Sequence, residues 1–388
     1  MSETALRNTD IDAALEEAKE AYVASNPLSL ARYVEATAVM PGGNTRTVLH
    51  YAPFPLAMAR AAGCRLWDAD GAEYVDFLGE YTAGIYGHSH PAIRAALNRA
   101  LDGGINYGAS NLTEARFARA VCERFGLERV RFTNSGTEAN LLAISLARIA
   151  TGRHKVLVFD GGYHGAVFGF AGGGSPINAP FPYVVAPYND LDATRALIEQ
   201  HADDLALVIL EPMIGSGGCI PATADFLTML RVETTRVGAL LILDEVMTSR
   251  LSPGGLQAVR GIKPDLTTLG KYIGGGMSFG AFGGRADLID RFDPRRADAL
   301  PHAGTFKKSD APAHDNHEQE RLVLEFQMPI PCERHEHIRA DQQHDGQPAG
   351  LGKVVHKLIK SQRFIAWISY VREMLFGLLR QKHFHIQE

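Results

Sequence analysis

ALLILDEV, residues 239–246, runs from an uninterrupted apolar stretch straight into two carboxylates. A run with no residue set aside for water reads as a strand buried on both faces. VRF (130–132), VLVF (156–159), LALVILEP (205–212) and DLTTLG (265–270) have the same texture, each followed by glycine or polar residues and then a helical pattern. Strands alternating with helices predict an α/β fold, a mainly parallel sheet between helices. In such sheets ligands gather beyond the carboxyl ends of the strands.

Upstream, residues 10–39 predict two short helices parted by Ser25-Asn26-Pro27, a cap-and-start signal. CRLWD and AEYVDF alternate around Asp70-Gly71, which predicts a hairpin within 55–78. Helical patterns follow at 90–102 and 113–125. The 388-residue chain is 46% hydrophobic with a net charge of −5, which gives no electrostatic reason to expect nucleic acid or an anionic membrane as partner. The acidic N-terminus has no apolar core of a secretory signal. Cys64, Cys122, Cys219 and Cys332 lack metal-type pairing and are read as reduced thiols of a cytoplasmic protein.

Beyond Thr305 the texture changes: only four of the 39 glycines lie there, but eight of the 15 histidines do. Residues 307–352 are polar and predict disorder; 353–380 predict an amphipathic helix, whose apolar stretch is broken by Arg372 and Glu373 and is not a membrane span. The spacing of Cys332, His335 and His337 matches no structural zinc pattern, so no metal is expected. The expected division is an N-terminal segment of helices and hairpin (1–78), a large domain (79–306) and a divergent tail (307–388).

Three stretches carry chemistry. In RFTNSGTEAN (131–140) a strand ends and a helix begins across a tight turn. That is either an anion cradle, most naturally for phosphate, or an ordinary helix cap with a capping glutamate. In LILDEV (241–246), Asp244 ends a hydrophobic strand, where an unpaired buried carboxylate costs several kcal/mol. It either faces a cationic partner in a site or lies solvated just past the sheet edge. In LTTLGKYIGGGMSFGAFGG (266–284), Lys271 stands among glycines that hold neither helix nor strand for long, as a catalytic amine or as a solvated loop residue. Taken together, the phosphate cradle, the strand-end aspartate and the lysine meet the needs of one cofactor, pyridoxal 5'-phosphate.

NSGTEAN, GGYHG, EPM, LDEVMTSR, GKYIGGGMSFGAFGG and HAGTF together resemble the class III, fold-type I pyridoxal-phosphate aminotransferases. The resemblance is to the subgroup related to glutamate-1-semialdehyde aminomutase. PGGNTRTVLHYAPFPL (41–56) resembles, within it, bacterial β-amino-acid (β-phenylalanine) aminotransferases. It implies that Lys271 forms the Schiff base with the cofactor and later moves a proton, and that Asp244 pairs with the pyridinium nitrogen. Val246 and Tyr163 then pack on opposite faces of the ring. Ser135, Gly136 and Thr137 bind the phosphate, and Thr305 reaches the phosphate of the neighbouring subunit, which implies a homodimer with shared sites. Arg46 binds a substrate carboxylate, and His164 is read as structural.

The resemblance stops after Phe306: neither Lys307-Lys308-Ser309 nor the remaining chain matches, so the C-terminal region is expected to be aberrant and shortened, as from an out-of-frame 3′ end. The expected function is transfer of an amino group from a β-amino acid, possibly aromatic, to a 2-oxo acid such as 2-oxoglutarate. The alternatives are an aminomutase-type internal amino shift and an inactive or truncated cofactor-binding fragment.

Overall fold

A computed structural model describes residues 11–105 and 107–304. Thr305, the expected tail and the Cys332–His337 stretch lie outside the described residues. The chain divides into two compact units, whose described parts are residues 11–77 and 78–304.

In the first unit, helices α1 (Ile11–Ser25) and α2 (Pro27–Thr37) precede a three-stranded antiparallel sheet, β1 (Met58–Ala62), β2 (Arg65–Asp68) and β3 (Glu73–Val75). The two expected helices and the hairpin form, but Asn26 does not cap α2: its Nδ2 donates to the Tyr22 carbonyl. The free amides at the start of α2 are met instead by Asp70 in the hairpin turn, which accepts from the N–H groups of Leu28 (2.7 Å) and Ser29 (2.9 Å) and from Ser29 Oγ (2.7 Å). A cap supplied from over 40 residues away leaves no local sequence signal. Cys122 and Cys219 are free thiols. Cys64, half-buried in the turn between β1 and β2, is disulfide-bonded, unlike the thiol expected.

The second unit holds α3 (Pro91–Gly103), α4 (Glu114–Phe125), β4 (Arg129–Thr133), α5 (Gly136–Thr151), β5 (Lys155–Phe159), β6 (Tyr183–Ala186), α6 (Leu191–Gln200) and β7 (Leu205–Leu210). A small ribbon follows, β8 (Met213–Ile214) with β9 (Ile220–Pro221), then α7 (Ala224–Val237), β10 (Leu240–Asp244), α8 (Gly255–Val259), β11 (Leu266–Gly270), β12 (Gly280–Gly284) and α9 (Ala286–Ile289). Seven strands make one sheet in the order β4-β12-β11-β10-β7-β5-β6. Alternate residues of each central strand serve opposite faces. Leu207 and Ile209 meet Ala143, Ile144 and Ala147 of α5, while Val208 and Leu210 meet Ile198 of α6 and Phe226 and Leu230 of α7. Burial on both faces is what the apolar runs encode.

The glycine-rich stretch departs from expectation. GAFGG is a fully buried strand, β12, antiparallel to both β4 and β11. Its glycines are demanded by close neighbours rather than by turns. A Cβ on Gly280 would stand 2.1 Å from the Ser135 carbonyl oxygen, and one on Gly283 would stand 2.4 Å from that of Arg129. Backbone atoms cannot step aside. Gly280→Ala is therefore expected to lower the unfolding free energy by about 3 kcal/mol or more, at the upper end of overpacking costs. Gly108→Ala, in open space, is expected to change it by less than ~0.5 kcal/mol. Urea titration of both variants checks the contrast.

Candidate active site

Strands β4, β5, β7, β10 and β11 all end at one edge of the sheet, and the residues just beyond them form the site. Register fixes their order: Leu210 of β7 pairs with Leu243, Asp244 with Thr268, and Gly270 with Gly280, which itself pairs with Thr133.

Asp244 is only 3% exposed, and its carboxylate is met from three directions. Asn140 Nδ2 donates to Oδ2 at 2.8 Å, His164 Nδ1 lies 2.8 Å from the same oxygen, and the Val246 N–H donates to Oδ1 at 3.0 Å. An ionised carboxylate only accepts, so Nδ1 of His164 carries the hydrogen. Nε2 of His164 is buried without a partner among the described residues. Asn140 is oriented in turn: its Oδ1 accepts from Thr268 Oγ1 (2.7 Å), and its Nδ2 also reaches the His164 carbonyl (2.9 Å). The reading of Asp244 as a solvated edge residue therefore fails.

At the end of β4 the capping geometry forms as one of the two readings had it. Ser135 Oγ accepts the Glu138 N–H (3.2 Å), and Glu138 Oε2 accepts the Asn134 N–H (2.8 Å). The cap does not use every amide. Among the described residues, the N–H groups of Gly136 and Thr137 have no acceptor, so the start of the 16-residue helix α5 keeps two donors for an anion. Thr137 Oγ1 accepts from the Ala166 N–H at 3.3 Å, joining this turn to the Tyr163 loop.

Gly136, Val246 and Gly270 converge. A Cβ on Gly136 would lie 2.9 Å from Val246 Cγ2, and one on Gly270 would lie 3.2 Å from Val246 Cγ1 and 3.5 Å from the Gly136 Cα. Val246 is half-buried, and the Tyr163 ring is 49% exposed. Lys271 follows Gly270 in the left-handed region, at φ 54°, a conformation uncommon outside glycine. Its Nζ donates to the Tyr81 carbonyl at 2.8 Å. Tyr81 belongs to a run, Glu80-Tyr81-Thr82, with φ of 47°, 52° and 79°. Strain of this kind persists where surrounding structure over-determines it.

Glu211 directly follows β7, much as Asp244 closes β10. Its Oε2 accepts the Tyr163 N–H (3.0 Å) and its Oε1 the Gly215 N–H (3.2 Å). Burial, opposed by nearby His164 and reinforced by Asp244, pushes its carboxyl up to about 7. Sequence reasoning assigns no role to Asn140, Thr268 or Glu211. A signal exists all the same: an asparagine inside the apolar helix ANLLAISLARIA, and a glutamate ending an apolar run, each implying a buried partner. Arg46 lies in the first unit, exposed, with its N–H on Asn44 Oδ1.

Pyridoxal phosphate fits this donor set. Two amides and the Ser135 and Thr137 hydroxyls suit a phosphate, Asp244 suits a protonated ring nitrogen, and glycines 136 and 270 keep the space beside Val246 clear.

A family model described as "Aminotransferase class-III" matches residues 48–309. The chain is 56% identical over 300 residues to the beta-phenylalanine transaminase of Variovorax paradoxus, covering 77% of this chain and 69% of that protein. The crystal structure of the beta-phenylalanine aminotransferase from that organism superimposes with a TM-score of 0.77 at 55% identity, over 78% of this chain and 71% of that one. A structure described as a transaminase with PLP bound gives a TM-score of 0.71 at 34% identity, over 78% of this chain and 74% of that one.

Asn140→Ala would take a donor from Asp244 and from the His164 carbonyl, and the acceptor from Thr268. The unfolding free energy is expected to fall by about 3 kcal/mol, the cost of leaving buried polar groups unmet. A loss below ~0.5 kcal/mol on chemical denaturation would contradict the network's importance.

Proposed function

The chain belongs to the class III aminotransferases and carries the fold-type I, pyridoxal-phosphate-dependent large domain of that family; from this premise we propose that it moves an amino group from a β-amino acid, aromatic ones included, to a 2-oxo acid such as 2-oxoglutarate. The observation that carries the reading is the meeting, at one sheet edge, of Lys271, the enclosed Asp244 carboxylate and the open amides of Gly136 and Thr137. The substrate class rests on the 56% identity to the Variovorax paradoxus transaminase.

When bound, pyridoxal phosphate supplies an aldehyde carbon for the amino group and an electron-poor ring. The protein supplies the rest. Asp244 would pair with the ring nitrogen, and His164 and Asn140 hold its carboxylate in place. Ser135, Gly136 and Thr137 would bind the phosphate. Val246 and Tyr163 would enclose the ring. Lys271 would hold the cofactor through its Nζ and, once its amine is free, would carry the proton from the substrate's amino-bearing carbon to the cofactor. For Arg46 the support is the resemblance and the fit of a guanidinium to a carboxylate. Thr305 is assigned, on the same ground, to the phosphate of a neighbouring subunit, and we propose a cytoplasmic homodimer. Among the described residues no helix is long and apolar enough to cross a membrane.

With added cofactor, the wild-type chain is expected to deaminate β-phenylalanine only when a 2-oxo acid is present. Turnover without any 2-oxo acid would favour an internal amino shift, and no turnover with either would favour an inactive fragment. Lys271→Ala is expected to retain bound cofactor but lose turnover by at least ~1000-fold. Arg46→Ala is expected to raise KM for the β-amino acid by roughly ten- to a hundredfold, with a smaller change in kcat, in initial-rate measurements.

A further inference from the structure

We propose that Glu211 is a positioning residue of this site: by holding the Tyr163 N–H on one carboxylate oxygen and the Gly215 N–H on the other, it sets where the Tyr163 ring and the His164 imidazole stand. The proposal rests on the aminotransferase reading for its consequence and on geometry for its substance.

Tyr163 and His164 are consecutive but serve opposite environments. The tyrosine is 49% exposed, while the imidazole is 2% exposed and pairs with Asp244. The backbone between them therefore decides both placements. Of the three amides in this turn, that of Gly162 goes to the Phe159 carbonyl (3.0 Å) and that of His164 to the Phe168 carbonyl (2.8 Å). The amide of Tyr163 alone goes to a side chain, Glu211. The far side of the carboxylate is fixed as firmly. A Cβ on Gly215 would stand 2.6 Å from Met247 Sδ and 3.4 Å from Oε1 of Glu211, so glycine permits this close approach. The Glu211 carbonyl accepts from Tyr188 Oη at 2.8 Å.

The groups facing Glu211 are His164 from the loop after β5, Asp244 from the end of β10 and Tyr188 from the segment after β6. Burial raises its carboxyl to about 7, so its charge changes across neutrality. Ionised, it accepts from both amides; protonated, one oxygen carries a hydrogen and the loop is held less well.

The test uses the full chain carrying Glu211→Gln or Glu211→Asp, the aspartate keeping the charge but falling a methylene short of both amides. In the cofactor-free protein, hydrogen exchange at the Tyr163 amide is expected to speed up at least tenfold in both variants. In the loaded enzyme, kcat is expected to fall at least tenfold with a smaller change in KM. The wild-type kcat/KM profile is expected to show an inflection near pH 7, which should vanish in the glutamine variant and survive, shifted, in the aspartate variant. Exchange within twofold of wild type, or an unchanged pH profile, overturns the proposal. If the glutamine variant fails to fold, the aspartate variant decides by the same exchange criterion. A wild-type chain without transaminase activity sinks the function and leaves amide exchange to decide Glu211.

Discussion

A carboxylate buried at the end of a hydrophobic strand must be surrounded by donors, and the site is organised around that requirement at Asp244. Its donors come from helix α5, from the loop after β5 and from its own onward chain. No single segment supplies them, so the carboxylate ties three crossover units of the sheet together. Asn140 shows how far the constraint spreads. Four residues into α5, it faces Asp244 and the His164 carbonyl, and it is aligned by Thr268 from the neighbouring strand. The same helix start presents the open amides, so one helix places both the anion cradle and a donor to the carboxylate.

Spacing across the sheet depends on a second constraint, the glycines of β12. Strand β12 runs antiparallel between β4 and β11 and brings the Ser135 turn and the Lys271 turn within reach of Val246. A side chain at Gly280 would push the Ser135 carbonyl away, and one at Gly270 would press on Val246. The closeness of the lysine turn to the Ser135 turn is thus written in missing side chains.

The apolar runs, the strand-end aspartate and the lysine are legible in the sequence because each is a local pattern with a clear physical meaning. β7, buried at every position, is read without ambiguity. β12 is not legible, because glycine in sequence signals freedom, whereas here it signals crowding from residues near 130 and 265. The expected cap of α2 fails for a related reason: Asn26 is the residue that local chemistry favours, but Asp70 wins the amides from the neighbouring hairpin. Asn140 and Glu211 carry a signal, a polar residue in an apolar context, whose partners only the fold supplies.

Three acids stand side by side at this edge, and their donors separate their roles. Glu211 and Asp244 follow paired residues, Leu210 and Leu243, of adjacent strands, so two negative charges approach each other in a dry place. Such a pair cannot share charge freely. Asp244 has the His164 imidazole and the Asn140 amide as well as a backbone N–H, whereas Glu211 has two backbone amides, and burial pushes its carboxyl up to about 7. Glu245, on the opposite face of the strand, accepts from the Thr248 hydroxyl and from the Leu256 and Gln257 N–H groups and holds the start of α8, away from the site. Asp244, which alone of the three is met by the Asn140 amide and the His164 imidazole, is the one whose donors join separate segments at the site. Glu211, with its backbone donors, is suited to fix the loops on either side of it.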